Sequence, residues 1–397
     1  MENRVLFICD DMLPPGVISS GTKSILNLHK KIGAGALHIL TPTNRYTSSD
    51  WKTWVQNSEK GGDVSYHVID SFLKRWEMPW KSATRVLYFF KAIQLHRRFR
   101  FSVIHLYSSS PFLIHLSGLI KKFTRTRVFH TLCTCHTDWQ RKPVSGICVP
   151  DLVIVTTEKM KNMIPSAVPS VFLPIPIEDR FLETSAPLED IPMKKPDAVT
   201  IGYVGLMSAR KGADDFLAAA RSWLEIPTVH VVFSTPADRK ETVEDSPLKA
   251  VIAELEKDFP GRFFYLKRNL DVRRLFESLD IFVYPLRTMD GTLGTPSTLV
   301  EAMASGVAVV ASDLPEIRSF IEDGVEGVLV PPASPSPLSE RARTLISSPD
   351  ARRRIGEAAR SRVRAFGAGV VLNQYQVIYK TKSEEGPALN PGLRFDR

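Results

Sequence analysis

The stretch from Asp280 to Pro332, DIFVYPLRTMDGTLGTPSTLVEAMASGVAVVASDLPEIRSFIEDGVEGVLVPP, constrains the fold more than any other part of this chain. Ile281 to Tyr284 is a short apolar run of the kind that fills a parallel strand buried on both faces. A loop rich in glycine and threonine follows and ends at Pro296-Ser297. Ser297 is suited to cap a helix running to about Ser305, with Gly306 as its stop. Val307 to Ala311 is the next apolar strand. A strand, a glycine-rich loop and a helix in this order aim backbone N–H groups and a helix N-terminus at one point, which suits an anion. Glu301 lies one turn into that helix. A carboxylate there cannot serve the anion itself, because like charges repel, but it can accept hydrogen bonds from the hydroxyls of a ribose. Phosphate on the amides and sugar on the carboxylate together describe a nucleotide.

On these residues the stretch resembles the donor-site signature of the retaining glycosyltransferases of family 4. Gly294, Glu301, Ala302, Met303, Ala304, Gly306, Val309, Val310 and Ala311 match the pattern. Two positions depart from it. Ala308 replaces the usual proline, and Leu293 stands where an acidic residue is expected, eight residues before Glu301. Asp290-Gly291-Thr292 looks like a shifted copy of the motif's opening. A second match begins at Gly205 and continues at Lys211-Gly212, with Leu206 in place of the family's arginine and Arg210 nearby. The resemblance implies an α/β chain of GT-B type, with two Rossmann-like domains whose parallel sheets face a central cleft.

Length and composition are consistent with that architecture. A chain of 397 residues with 43% hydrophobic content fits two cores better than one. Four cysteines do not make a disulfide scaffold and point to a reducing compartment. Val5 to Cys9 is too short for a signal peptide, since Asp10 and Asp11 follow at once. No apolar run approaches the ~20 residues of a membrane span. Phe101 to Ile120 comes nearest, and it holds two histidines and several serines. The expected domains are 1–185, a linker at 186–198 rich in proline and acidic residues, 199–365, a terminal helix at 366–382 packing back on the first domain, and a disordered tail at 383–397.

Further buried strands are expected at Leu37 to Leu40, Val103 to Tyr107, Val128 to Cys135, Val229 to Ser234 and Phe263 to Leu266. Helices are expected over Thr22 to Ile32, Leu248 to Asp258, Pro337 to Ile346, Ala351 to Phe366 and Val370 to Tyr379. The opening is Rossmann-like, but G-x-G-x-x-G is absent, which disfavours a dinucleotide cofactor. His130, Cys133, Cys135 and His136 raise the question of zinc. The C-x-C-H spacing without a second pair is weak, and His136 points away from the face the cysteines share on a strand.

Charge is unevenly divided. Residues 1–180 carry 24 Lys+Arg against 13 Asp+Glu, a net of +11, and residues 181–397 carry 28 against 30, a net of −2. Between Trp51 and Arg100 aromatic and basic residues interleave, with Val86, Phe89, Phe90 and Ile93 at helical spacing. Trp76, Trp80, Phe89 and Phe90, with Lys81, Arg85, Arg97 and Arg98, suggest a surface for anionic lipid headgroups. Nothing resembles a groove-reading nucleic-acid motif.

The resemblance assigns roles residue by residue. His136, Lys211 and Glu301 are the expected catalytic set. Gly205, Arg210, Lys211, Lys267, Asn269, Gly294, Thr295, Ser297, Thr298 and Glu301 are the expected donor-binding set. Gly21, Thr22, His105 and Asp138 are expected on the acceptor side. No metal or cofactor is expected, the nucleotide-diphosphate sugar being a co-substrate. The implied activity is sugar transfer with retention to a glycan or lipid-linked acceptor, by a cytoplasmic protein peripheral to the inner face of the membrane. Two alternatives stay open: a related epimerase or hydrolase, and a scaffold that has lost catalysis, for which Leu206 and Leu293 are the motivation.

Overall fold

In the computed structural model, residues 4–9, 37–42, 64–69, 80–108, 113–134, 148–183, 197–236, 247–267, 271–290 and 292–380 are described. The chain forms two compact units. Unit 1 comprises Met1–Pro176, Asp290–Thr295 and Ala368–Arg397, and unit 2 comprises Ile177–Met289 and Pro296–Gly367. The boundary therefore falls earlier than the linker expected from composition, most of which lies outside the described residues together with the tail.

Unit 1 is built on a seven-stranded parallel sheet. Its strands are β1 (Val5–Cys9), β2 (Leu37–Pro42), β3 (Val64–Ile69), β4 (Val103–Ser108), β5 (Arg127–Leu132), β6 (Leu152–Val155) and β7 (Ser170–Phe172), in the order β3-β2-β1-β4-β5-β6-β7. The sequences VLFIC, VIHLYS and LVIV are buried at every position, as strands covered on both faces require. Strand β5 ends at Leu132, short of the expected Cys135. β3 was not anticipated, because VSYHVI is short and its apolar run is broken by Ser65 and His67.

Among the described residues three helices lie between these strands in sequence, α1 (Trp80–Phe99), α2 (Leu113–Thr124) and the short α3 (Glu158–Met163), and the helix expected over Thr22 to Ile32 lies outside them. The apolar run from Phe101 to Ile120 is thus divided between strand β4 and helix α2. Among the described residues no helix is long and apolar enough to cross a membrane. Helix α1 forms where helical spacing predicts it but with a different buried stripe. Tyr88, Ala92 and Leu95, four and three apart, face the core, and Val86 and Phe90 are exposed.

Unit 2 carries a six-stranded parallel sheet. Its strands are β8 (Val199–Val204), β9 (Val229–Thr235), β10 (Phe263–Lys267), β11 (Ile281–Tyr284), β12 (Ala308–Ser312) and β13 (Val328–Val330), ordered β10-β9-β8-β11-β12-β13. The accompanying helices are α4 (Ala213–Leu224), α5 (Leu248–Asp258), α6 (Val272–Glu277), α7 (Ser297–Ser305), α8 (Pro335–Ile346) and α9 (Pro349–Val363). Trp223 is fully buried in this core, and its indole N–H donates to the Ser339 carbonyl at 3.2 Å, so its burial leaves no orphaned polar atom. Helix α7 has the expected bounds and stops at Gly306, where φ is 77°. Its cap differs from expectation. Pro296 occupies the N-cap position, its carbonyl accepting from the Val300 amide at 3.0 Å, and Ser297 is already helical.

The terminal helix α10 (Ala368–Lys380) belongs to unit 1. Its Tyr379 ring stacks on Phe129 at 5.7 Å, and the Arg127 guanidinium donates to the Tyr379 carbonyl. The Tyr379 hydroxyl lies 2.5 Å from Nδ1 of His105, whose Nε2 is 2.8 Å from Thr131 Oγ1. A second buried histidine is held nearby. Ser117 donates its hydroxyl proton to the Leu113 carbonyl at 2.8 Å, so His130 Nδ1, at 2.6 Å, must donate to Ser117. His130 Nε2 then accepts from Ser108 at 2.9 Å. Both rings are neutral. Burial lowers the His105 pKa to about 3, helped by neighbouring His130, and burial lowers that of His130 to about 3.

This arrangement has a pH signature. The unfolded chain protonates its histidines near pH 6.5, whereas the folded protein resists doing so until about pH 3. Below pH 6.5 the unfolded state therefore binds more protons, and stability falls with pH by up to about 1.4 kcal/mol per unit for each histidine. Denaturant titrations between pH 7.5 and about 5 should show this loss, and His105→Gln with His130→Gln should flatten the dependence. An unchanged slope in a folded double variant would show that other groups dominate.

Candidate functional site

In a doubly wound sheet, ligands bind beyond the carboxyl ends of the strands where the strand order reverses. In unit 2 that reversal lies between β8 and β11, which are hydrogen-bonded neighbours. Two loops leave their carboxyl ends: Gly205–Gly212 after β8, and Pro285–Pro296 after β11. These are the two loops that carry the sequence motifs.

The first loop is short and held closely. The Gly205 amide donates to the Ser234 carbonyl at 3.1 Å, and Tyr203 donates its hydroxyl to the Leu206 carbonyl at 2.6 Å. Ala209–Lys211 form a single 3-10 turn, and Gly212 ends it with φ of 70° and starts α4. A Cβ at Gly212 would lie 1.8 Å from the Pro285 carbonyl oxygen, so glycine is needed for both backbone conformation and close approach. Lys211 is half-buried on this turn. Burial, with Arg210 beside it, lowers its pKa to about 8. A lysine kept charged in a partly dry setting is suited to neutralise an anion.

The element that fixes this loop is Arg287, which was not singled out from sequence. Its Nε donates to Asp215 at 2.8 Å, and its Nη2 to Asp215 at 2.8 Å and to Asp214 at 2.5 Å. Its backbone amide donates to the Arg210 carbonyl at 3.0 Å. One residue of the β11 loop thus holds the turn bearing Arg210 and Lys211 and the first turn of α4. The two aspartates also sit where a helix N-terminus favours negative charge. Hydrogen bonds to Asp215 hold the Arg287 guanidinium above its ordinary pKa. A pair of acidic residues just after Lys211-Gly212, with an arginine three residues past β11, is the signal from which it could have been found.

The second loop divides its residues. Ser297, Thr298 and Glu301 are partly exposed on the first turns of α7, in unit 2. Gly294 and Thr295 belong to unit 1 and are already engaged there. The Gly294 amide donates to the Cys133 carbonyl at 2.8 Å, next to an antiparallel bridge between Thr134 and Leu293. A Cβ at Gly294 would fall 2.2 Å from Thr156 Oγ1. Thr295 donates its hydroxyl to the Thr156 carbonyl at 3.0 Å and accepts from the Ile175 amide at 2.9 Å. The expectation that the Gly294 amide meets an anion is therefore corrected, and the Thr295 hydroxyl is likewise spent on tying the segment into unit 1. Lys267 is exposed at the end of edge strand β10, two strands from β8 and so about 10 Å away across the sheet.

The acceptor-side expectations fare differently. His105 is fully buried with both ring nitrogens engaged, so it serves the core of unit 1 and is closed to an acceptor. Gly21, Thr22, His136, Asp138 and Asn269 lie outside the described residues. Among the described residues no three metal-ligating side chains come together, and His130 spends both nitrogens on serines.

Comparison with known proteins follows the same division of the chain. Residues 198–348 match the family model described as Glycosyl transferases group 1. The match covers most of unit 2 and both loops of the candidate site. The alpha-maltose-1-phosphate synthase of Mycolicibacterium smegmatis is 28% identical over 194 residues, 46% of this chain and 48% of its own. The phosphatidyl-myo-inositol mannosyltransferase of Mycobacterium leprae is 38% identical over 88 residues, 22% of this chain and 24% of its own. The chain thus spans about half or less of the length of these relatives. Over the whole chain the likeness is one of fold. The crystal structure of the Anabaena protein HepE in complex with UDP matches with a TM-score of 0.69 at 15% identity, covering 94% of this chain and 98% of its own. The fold is GT-B.

The clamp predicts a measurable loosening. Arg287→Ala leaves Asp215 buried without its partner and should destabilise unit 2 by about 2–3 kcal/mol. Amide exchange over residues 206–215 should speed up more than exchange in β12. Arg287→Lys should restore little, because one ammonium cannot reproduce the two-pronged contact. Exchange unchanged in the alanine variant would show that the loop is held by other means.

Proposed function

We propose that this chain is a retaining glycosyltransferase that moves a sugar from a nucleotide-diphosphate sugar to a glycan or lipid-linked acceptor. The observation that carries the reading is the half-buried Lys211, clamped beside the β8–β11 reversal, in the segment that matches the glycosyltransferase model. In the reaction the bond between the anomeric carbon and the diphosphate oxygen breaks, and a bond to an acceptor oxygen forms on the same face. The acceptor proton leaves with the diphosphate or to solvent, and negative charge grows on the leaving group. Lys211, with Arg210 and the first amides of α7 at Ser297 and Thr298, meets that charge where it develops. Glu301 accepts from the ribose hydroxyls. His136 is assigned to the reacting sugar on family resemblance alone. The UDP bound to HepE makes uridine donors the first to try. The retained anomeric configuration and a place on the inner face of the membrane belong to this same reading.

The electrostatics can be tested in three ways. Glu301→Ala should weaken donor binding by about 1.5–3 kcal/mol by calorimetry, the worth of hydrogen bonds to a charged group; unchanged affinity would remove the ribose role. Lys211→Ala should lower kcat more than it weakens donor binding, because its interaction strengthens in the transition state. A rise in KM alone would make Lys211 a uniform binder. Lys211 is protonated below pH 8 and loses its proton above it. A bound diphosphate favours the protonated form, so donor affinity should fall as pH rises past 8, by up to about tenfold per unit. That fall should be absent in Lys211→Arg. Product anomers read by NMR decide retention.

A further inference from the structure

Among the described residues, most of the large apolar side chains that unit 1 leaves in water lie on two helices that touch. Seven large hydrophobic residues are exposed among the described residues, and five of them, Val86, Leu87, Phe90, Leu119 and Phe123, are on α1 and α2. They form one patch. Phe89, partly buried on α1, packs edge-on against exposed Phe90 at 5.4 Å and against exposed Phe123 of α2 at 5.3 Å. Phe90 and Phe123 are each 63% exposed, so each ring keeps most of its surface in solvent. A contiguous apolar area of this kind marks an interaction surface more often than chance does.

Its charge environment narrows the partner. From Met78 to Thr137 the chain carries ten Lys+Arg and no Asp or Glu. Lys91 follows Phe90, Lys122 precedes Phe123 and Arg125 comes two residues later. Arg97 and Arg98 lie exposed further along α1. Of the neighbouring acids, Asp151 is held by Lys121 at 2.8 Å.

We infer that α1 and α2 together form a docking surface for an anionic lipid bilayer, with Phe90 and Phe123 entering the headgroup region and the basic residues contacting lipid phosphates. This deepens the membrane placement in the proposed function and does not depend on the donor chemistry. Aliphatic side chains supply three of the five exposed groups. They gain from leaving water for hydrocarbon, whereas single-stranded nucleic acid calls for aromatic stacking along a charged groove. Each cation adds attraction to an anionic surface that salt weakens.

The test is flotation of the full chain with vesicles of phosphatidylcholine alone or mixed with phosphatidylglycerol, at low and high sodium chloride. The wild type should float with the anionic vesicles at low salt, stay behind with the neutral ones, and release at high salt. Phe90→Ser with Phe123→Ser should cut the bound fraction at least about tenfold. Lys122→Glu with Arg125→Glu should cut it and shift the salt dependence. Both substitutions are on the surface, and a thermal shift with UDP that matches the wild type would show that unit 2 is untouched. The inference is overturned if the wild type stays in solution with anionic vesicles at low salt, or if the phenylalanine variant floats as well as the wild type. It is also overturned if light scattering shows a dimer that the phenylalanine variant dissolves while vesicle binding is absent, since the patch would then join two copies. Competition by single-stranded RNA that requires both phenylalanines, without vesicle binding, would assign the patch to nucleic acid instead. Absence of vesicle binding by the wild type, with sugar transfer intact, would overturn the docking surface and leave the catalytic proposal standing alone.

Discussion

The contact on which the candidate site depends is the guanidinium of Arg287 lying between two carboxylates. The loop after β8 is too short to hold a shape by itself. It has one 3-10 turn, a left-handed glycine and a few hydrogen bonds. Arg287 supplies what is missing by donating to both oxygens of Asp215 and one of Asp214 from the side while its backbone amide donates to the Arg210 carbonyl. Lys211 is thereby presented from a fixed turn. A flexible lysine would have to lose its side-chain freedom each time it met an anion, and one presented in place loses less. The two aspartates are spent on this task, so the acidic charge near the lysine does not cancel it by direct pairing in the described contacts.

The parallel sheets were legible in the sequence because their strands are covered on both faces. Runs such as IFVY and AVVAS have one reading, since only a buried strand or a buried helix tolerates them and glycine and proline bound them closely. Helices α5 and α7 have the expected limits, each being bounded by a proline and a glycine in the sequence. The stripe of α1 was not legible. With apolar residues at 86 to 90, 92, 93 and 95, several faces qualify as core, and spacing alone cannot choose among them. The choice of Tyr88, Ala92 and Leu95 follows from the sheet they meet, which is non-local information. Strand β3 was missed because a short edge strand whose apolar run is broken by Ser65 and His67 gives a weak signal.

Of the candidate site, the residues with chemistry on the side chain were legible and those with chemistry on the backbone were less so. Lys211 and Glu301 stand out by type and by motif. Gly294 and Thr295 stand out equally, but motif position does not tell where an amide points. Here the amide of Gly294 is already bonded to Cys133 and the hydroxyl of Thr295 to Thr156. Histidine shows the same limit. His105 has the right type and a place in a strand, yet its two nitrogens are consumed by Tyr379, which is 274 residues away, and by Thr131.

That distance along the chain bears on how such proteins can be inherited. Unit 1 is encoded in three pieces, with its last helix and a six-residue segment both following most of unit 2. A single recombination event in the linker between two relatives would pair one parent's sheet with the other parent's tyrosines. The hybrid's buried histidine would then depend on a foreign helix for its hydrogen bond. Exchange of the whole of unit 1 therefore needs a crossover at each of four junctions. Lineages of this architecture are expected to diversify by substitution within a unit more readily than by shuffling whole units.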